Sequence, residues 1–186
     1  MGNIWLTSDY HFCHQKEFLY QPRGFNNVWE MNSAIVTLHN ELVQPEDDVY
    51  VLGDLMLNDN EQGLKCIKQL KGNLHIVIGN HDTEERIKLY NECHNVVEVE
   101  YAYRLKYKKY HFFLTHYPTL CSNWGDGKGL KQKTINICGH THTKDPFIDW
   151  SKGVIFHCEM DTNYCNPWLL DNIIKKLKEK YEKKNV

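Results

Sequence analysis

The chain has 186 residues, 41% hydrophobic and 25% charged, with a formal net charge of −2. That balance suits one globular domain over residues 1–186 with a core of its own, and it lacks the basic footprint that long nucleic acids select. No stretch approaches the ~18 uninterrupted apolar residues of a membrane span, and the opening residues lack the basic-then-apolar layout of a secretion signal. Seven cysteines, odd in number and without a CxxC pair, fit reduced thiols acting as small apolar core residues, so a cytoplasmic location is expected.

Apolar runs at Ile4–Ser8, Val49–Leu52 and Leu74–Ile78 read as strands. Between them, residues 30–44 and 59–71 carry apolar positions at helical spacing, such as Met31, Ile35, Leu38 and Leu42. This alternation predicts a largely parallel sheet with crossover helices. Thr83–Cys93 reads as a further helix. Val96–Glu100, Tyr101–Tyr107 and Tyr110–Thr115 then read as successive strands, with an antiparallel pattern expected from about residue 96. Thr134–Cys138 and Val154–Cys158 read as two more. The terminal segment from Pro167 to about Glu182 is amphipathic, and its lysines read as a solvated face. The expected fold class is therefore α/β.

Polar residues stand at the ends of these strands. Asp9 and His11 follow the first, Asp54 the second, and Asn80, His81 and Asp82 the third; His116 follows the strand at 110–115, and His140 and His142 the one at 134–138. Ligands of open α/β sheets sit beyond the carboxyl ends of the strands, so these groups are expected to converge. Mixed oxygen and imidazole donors without thiolates suit borderline divalent ions such as Mn, Fe or Zn. Seven donors are too many for one tetrahedral ion, whereas two ions sharing Asp54 account for all of them. Side chains alternate along a strand, so Asp9-Tyr10-His11 and His140-Thr141-His142 are each expected to aim two donors one way.

Taken in order, Asp9-Tyr10-His11, Gly53-Asp54, Gly79-Asn80-His81-Asp82, His116 and Gly139-His140-Thr141-His142 resemble the five motifs of calcineurin-like metallophosphoesterases, in particular small stand-alone bacterial and phage members. The resemblance spans residues 9–142. It implies a four-layer α/β/β/α sandwich in which two facing mixed sheets are flanked by helices. It also implies one ion on Asp9, His11, Asp54 and His142, and a second on Asp54, Asn80, His116 and His140. Hydrolysis would follow by in-line attack of a hydroxide bridging two divalent ions, Mn²⁺ foremost, with Fe, Zn or Ni compatible. His81 would stabilise the phosphoryl group or protonate the leaving oxygen, and Asp82 would orient that imidazole.

Substrate contacts fall to the segments that leave the motif ends. Between Phe12 and Trp29, Arg23 is a candidate for gripping a phosphate bidentately, with His14 touching the same group. The aromatics there read first as packing under a loop and second as a platform for a base. Between Tyr117 and Lys133 lie Trp124, Lys128 and Lys131; Gly125–Gly129 lacks phosphate-loop spacing and reads as a flexible loop. Asp149, Glu159 and Asp161 follow the last motif, and Asp161 reads as a solvated loop residue before a support for the site. His39, His75, His94, His111 and His157 match no motif and read as structural. The expected partner is a small phosphate ester, possibly a nucleotide, hydrolysed as a diester. A phosphomonoesterase, a protein phosphatase and a catalytically silent docking scaffold are the alternatives; the presence of His81 and of all seven donors speaks against the scaffold.

Overall fold

The computed structural model describes residues 2–121 and 129–184. Two sheets carry the fold. The first runs β4-β3-β2-β1-β9, built from β1 (Ile4–Thr7), β2 (Asp48–Leu52), β3 (Asn73–Val77), β4 (Val96–Glu100) and β9 (Trp168–Leu169). The second runs β5-β6-β7-β8, built from β5 (Tyr103–Tyr107), β6 (Tyr110–Leu114), β7 (Thr134–Cys138) and β8 (Ile155–His157). Trp124 and Lys128, and most of the segment Gly125–Gly129, lie outside the described residues.

The first sheet is buried on both faces, which is what parallel strands with crossover helices require. Along β1, Trp5 joins one hydrophobic cluster and Leu6 the other; along β2, Val49 and Val51 face opposite to Leu52. One face packs on α2 (Val28–Leu42), α3 (Asn60–Gln69) and α4 (Glu84–Asn91), through residues such as Met31, Ile35, Ile67 and Tyr90. The opposite face meets the second sheet, where Leu6, Leu52 and Val77 cluster with Phe112, Leu114, Ile135, Ile137 and Phe156. The terminal helix α5 (Leu170–Lys184) inserts Leu170, Ile173, Ile174 and Leu177 into that second cluster. The architecture is thus α/β, with two facing mixed sheets and flanking helices.

Three local features depart from the sequence reading. β4 pairs parallel with β3, so the antiparallel pattern begins only at the β5–β6 hairpin, and β6, β7 and β8 are parallel again. Strand direction is decided by tertiary pairing and leaves no mark in local composition. The second departure is β9, a two-residue strand antiparallel to β1 that is too short for a periodic signal. The third is a short helix α1 (Glu17–Tyr20) in the segment after the first motif. The cysteines behave as expected: six are buried, and burial raises the Cys66 and Cys165 thiols to about 11. Among the described residues, no helix is long and apolar enough to cross a membrane.

Candidate metal centre

Parallel β1, β2 and β3 end side by side, as do parallel β6 and β7, so five strand ends from two sheets open on one place. The loops there approach closely because three of them carry glycine, at Gly53, Gly79 and Gly139. A Cβ on Gly79 would run into the Asp54 carboxylate, and one on Gly139 would run into Ser8 and Asp9.

The backbone does the rest in an unexpected way. Asp9 (φ 60°), His11 (51°), Asp54 (57°), His140 (79°) and His142 (50°) all occupy the left-handed region. Non-glycine residues held there cost roughly 1 kcal/mol or more each, and they concentrate at functional sites. Strand alternation therefore does not aim these side chains. β1 stops at Thr7 and β7 at Cys138, and the convergence of each x-separated pair comes from tight left-handed turns beyond them.

All seven expected donors come together. His11 Nε2 lies 3.0 Å from His142 Nε2 and 3.6 Å from Asp9 Oδ1. Asn80 Oδ1 lies 2.9 Å from both His116 Nε2 and His140 Nδ1. Asp54 Oδ2 sits between the two groups, 3.7 Å from His11 Nε2 and 3.6 Å from His116 Nε2. Asp54 Oδ1 is turned away and accepts the His81 amide at 2.8 Å.

The donor set fits cations. Asp9 is fully buried, and its Oδ2 accepts from the Ser8 hydroxyl and the His140 amide, yet Oδ1 has no hydrogen-bond partner among the described residues. A buried carboxylate oxygen left open costs free energy unless a cation meets it. Burial pushes the Asp54 carboxyl up to about 6, and Asp9 and Asp82 add repulsion. Burial also drives His11 down to about 4, leaving it neutral at pH 7, as a ligand must be. For Asp9, burial acts upward, but the His11 imidazole 3.6 Å away and the imidazoles of His142 and His116 outweigh it and hold the carboxyl well below its usual range.

Neighbouring groups fix the tautomers. His116 donates from Nδ1 to the Leu52 carbonyl at 2.8 Å, which leaves Nε2 free to coordinate. His142 donates from Nδ1 to Asp161 Oδ2 at 3.1 Å, with the same effect. Asp161 is therefore no solvated loop residue: its side chain is 8% exposed and also pairs with Arg23.

That pairing corrects the reading of Arg23. Its side chain is 1% exposed, and it donates to both Asp161 oxygens, at 3.1 and 2.8 Å, and to the carbonyls of Asp9 and Tyr10. The guanidinium ties the first motif to the segment after the last one and has no fork left for a phosphate. Asp82 is corrected as well. Its carboxylate accepts from the amides of Asp54 and Gly79, both at 2.8 Å, and from the Tyr90 hydroxyl, so it staples two loops together and does not touch the His81 imidazole.

A second buried support lies behind the last motif. Glu159 Oε1 accepts from the amide and hydroxyl of Thr141, the residue between His140 and His142, and from His157. The other nitrogen of His157 meets Asp149 at 3.1 Å. Sequence reasoning missed this support, since an acid, a histidine and an acid spread over residues 149–159 match no motif.

The centre opens into a cleft of about 560 Å³ whose walls include His14, Phe18, His81, His140, His142 and Lys144. The His81 and His11 ring centres are 5.5 Å apart, and those of His14 and His11 5.3 Å. Both expected substrate-side histidines thus face the cleft, and Lys144 is the lysine that lines it.

Comparison with known proteins agrees with this geometry. Residues 3–167 match the family model described as the calcineurin-like phosphoesterase superfamily domain. An uncharacterized protein of Methanocaldococcus jannaschii is 32% identical over 94% of this chain and 91% of its own length. A protein of unknown function from Aquifex aeolicus superposes with a TM-score of 0.71 at 22% identity, covering 94% of this chain and 99% of that one, which shows the fold alone. An archaeal phosphodiesterase superposes with a TM-score of 0.47 at 19% identity over 87% of this chain and 86% of that one, too loosely to argue from. The chain belongs to the calcineurin-like phosphoesterase superfamily and is a metal-dependent phosphoesterase.

Proposed function

We propose that the chain hydrolyses small phosphate diesters, with nucleotide esters foremost, at a centre holding two divalent ions. The observation that carries this reading is Asp54 Oδ2, which faces His11 on one side and His116 on the other at nearly equal distances. One half of the centre comprises Asp9, His11 and His142, the other Asn80, His116 and His140, and Asp54 serves both. Two bound ions supply the positive charge that neutralises phosphoryl oxygens, and they acidify the attacking water. Mn²⁺ is the first ion to test, since Fe, Zn and Ni share this ligand chemistry.

The protein's own groups do the remaining work. The His81 amide holds Asp54 Oδ1, so its imidazole stands at a set distance from the shared carboxylate, where it can give a proton to the leaving oxygen. His14 faces the same space, and Lys144 supplies the charge for a phosphate oxygen that Arg23 does not. Asp161 and the Leu52 carbonyl keep two ligand imidazoles in the coordinating tautomer. The cleft, about 560 Å³, has the size of a small-molecule site, which suits a small ester.

The direct test is hydrolysis of bis-p-nitrophenyl phosphate by metal-stripped protein before and after adding Mn²⁺, with p-nitrophenyl phosphate alongside. Mn²⁺-dependent turnover of the diester is expected. Turnover of the monoester alone would replace this reading with a phosphatase, and silence on both with ions bound would replace it with a scaffold.

A further inference from the structure

The aromatics between Phe12 and Trp29 divide sharply. Phe12, Tyr20 and Phe25 pack into or against the core, as expected for residues under a loop. Phe18 does the opposite: it is 72% exposed, yet it forms part of the cleft wall beside Leu19 and Pro22. Its ring stands edge-on to His14 at 5.7 Å and 90°, and His14 in turn lies 5.3 Å from His11. Two ring-to-ring steps therefore lead from the metal centre to an open phenyl face.

We infer that Phe18 is a specificity-determining residue that stacks on the planar base of a nucleotide ester whose phosphate sits at the metal centre. This rests on the phosphoesterase reading of the same cleft. The argument is one of matched chemistry. The imidazoles, the candidate ion ligands and Lys144 in the cleft wall suit an anion. The exposed Phe18 and Pro22 of the same wall suit a flat apolar group joined to that anion by a short linker. An ester with an alkyl or sugar arm alone would leave the phenyl face in water. A phenyl group left that exposed contributes little to folding, whereas a base stacked on an aromatic side chain gains a substantial part of its affinity there.

The test uses Mn²⁺-loaded full-length protein and two probes that differ only in the base, adenosine 5′-monophosphate and ribose 5-phosphate. Binding is measured by isothermal titration, and each probe is also run as an inhibitor of bis-p-nitrophenyl phosphate hydrolysis. The unaltered protein is expected to bind the nucleotide roughly 5- to 140-fold more tightly, the range set by one stacked base. Phe18→Ala should abolish that ratio by weakening the nucleotide and not the sugar phosphate, and Phe18→Trp should restore it. The exposure of Phe18 makes both variants compatible with folding. Equal affinities for the two probes in the unaltered protein, or a Phe18→Ala loss shared by both, would overturn the inference. Failure of the broader reading looks different, as absence of any Mn²⁺-dependent hydrolysis of the diester.

Discussion

The two halves of the metal centre are held in different ways. Around Asp9, His11 and His142 the support comes from buried side chains far along the chain. Arg23 ties down the Asp9 and Tyr10 carbonyls, Asp161 holds His142, and His39 accepts the Tyr10 hydroxyl at 2.8 Å. Around Asn80, His116 and His140 the ligand side chains themselves are held more lightly: the Leu52 carbonyl fixes the His116 ring, Asn80 and His140 stand exposed, and the buried Asp82 and Glu159 act one step back, on the loop backbones. Support from backbone accompanies any strand end, whereas support from side chains has to be assembled by the fold. The first half should therefore respond to changes at distant residues, and the second to changes at its own ligands.

The largest effect tests what both halves serve. On the proposed reading, in which His81 handles a proton and holds no ion, His81→Ala should lower turnover by roughly 10²- to 10⁴-fold while both ions stay bound. Metal analysis beside the kinetic assay separates the two roles, and normal turnover would remove His81 from the mechanism. Next comes Arg23→Met. It strands the buried Asp161 carboxylate, and losing one partner of such a pair destabilises by roughly 3–5 kcal/mol. Urea unfolding should show that loss; a raised KM with unchanged stability would return Arg23 to the substrate.

Acid should loosen the first half through His39. Burial lowers this imidazole from 6.5 to about 4, although its hydrogen bond to the Lys71 carbonyl works the other way. Above pH 6.5 neither folded nor unfolded chain protonates it, so its contribution is fully present. As pH falls from 6.5 to about 4 the unfolded chain takes up the proton first, and on the order of 3 kcal/mol is lost. Unfolding curves across that window should be less steep in pH for His39→Gln, and an identical slope would clear His39. The smallest effect expected on the ions is that of Asp161→Asn. It keeps the shape but leaves the Arg23 charge without its carboxylate, so stability should fall as in Arg23→Met, and the weaker hold on the His142 tautomer should lower ion affinity roughly 10- to 100-fold in one of two titration steps. An equal loss in both steps would break the comparison.

Motif residues were legible because their chemistry needs particular donor atoms at strand ends. Asp9, His11, Asp54, Asn80, His116, His140 and His142 meet where the order of strands and loops places them; the α/β class follows from the alternation of apolar runs, and the two facing sheets were implied by the family resemblance. Their supports were not legible. Arg23 and Asp161 are 138 positions apart, and an arginine beside a metal-binding motif looks the same in sequence whether it grips a phosphate or a buried aspartate. Asp82 next to His81 suggested contact, yet chain proximity says nothing about which way a carboxylate turns.

The sequence alone thus determined the kind of chemistry, since ligand identity and order are local properties of the chain. It also determined which segments carry the core, through apolar periodicity. Only the tertiary structure decided the parallel pairing of β4, the left-handed turns that aim Asp9, His11, Asp54, His140 and His142, and the exposure of Phe18 against the burial of Phe12. Each of these depends on free energies summed over distant neighbours. A strained turn persists because packing elsewhere holds it, and a phenylalanine is a core residue or a surface one according to what folds over it.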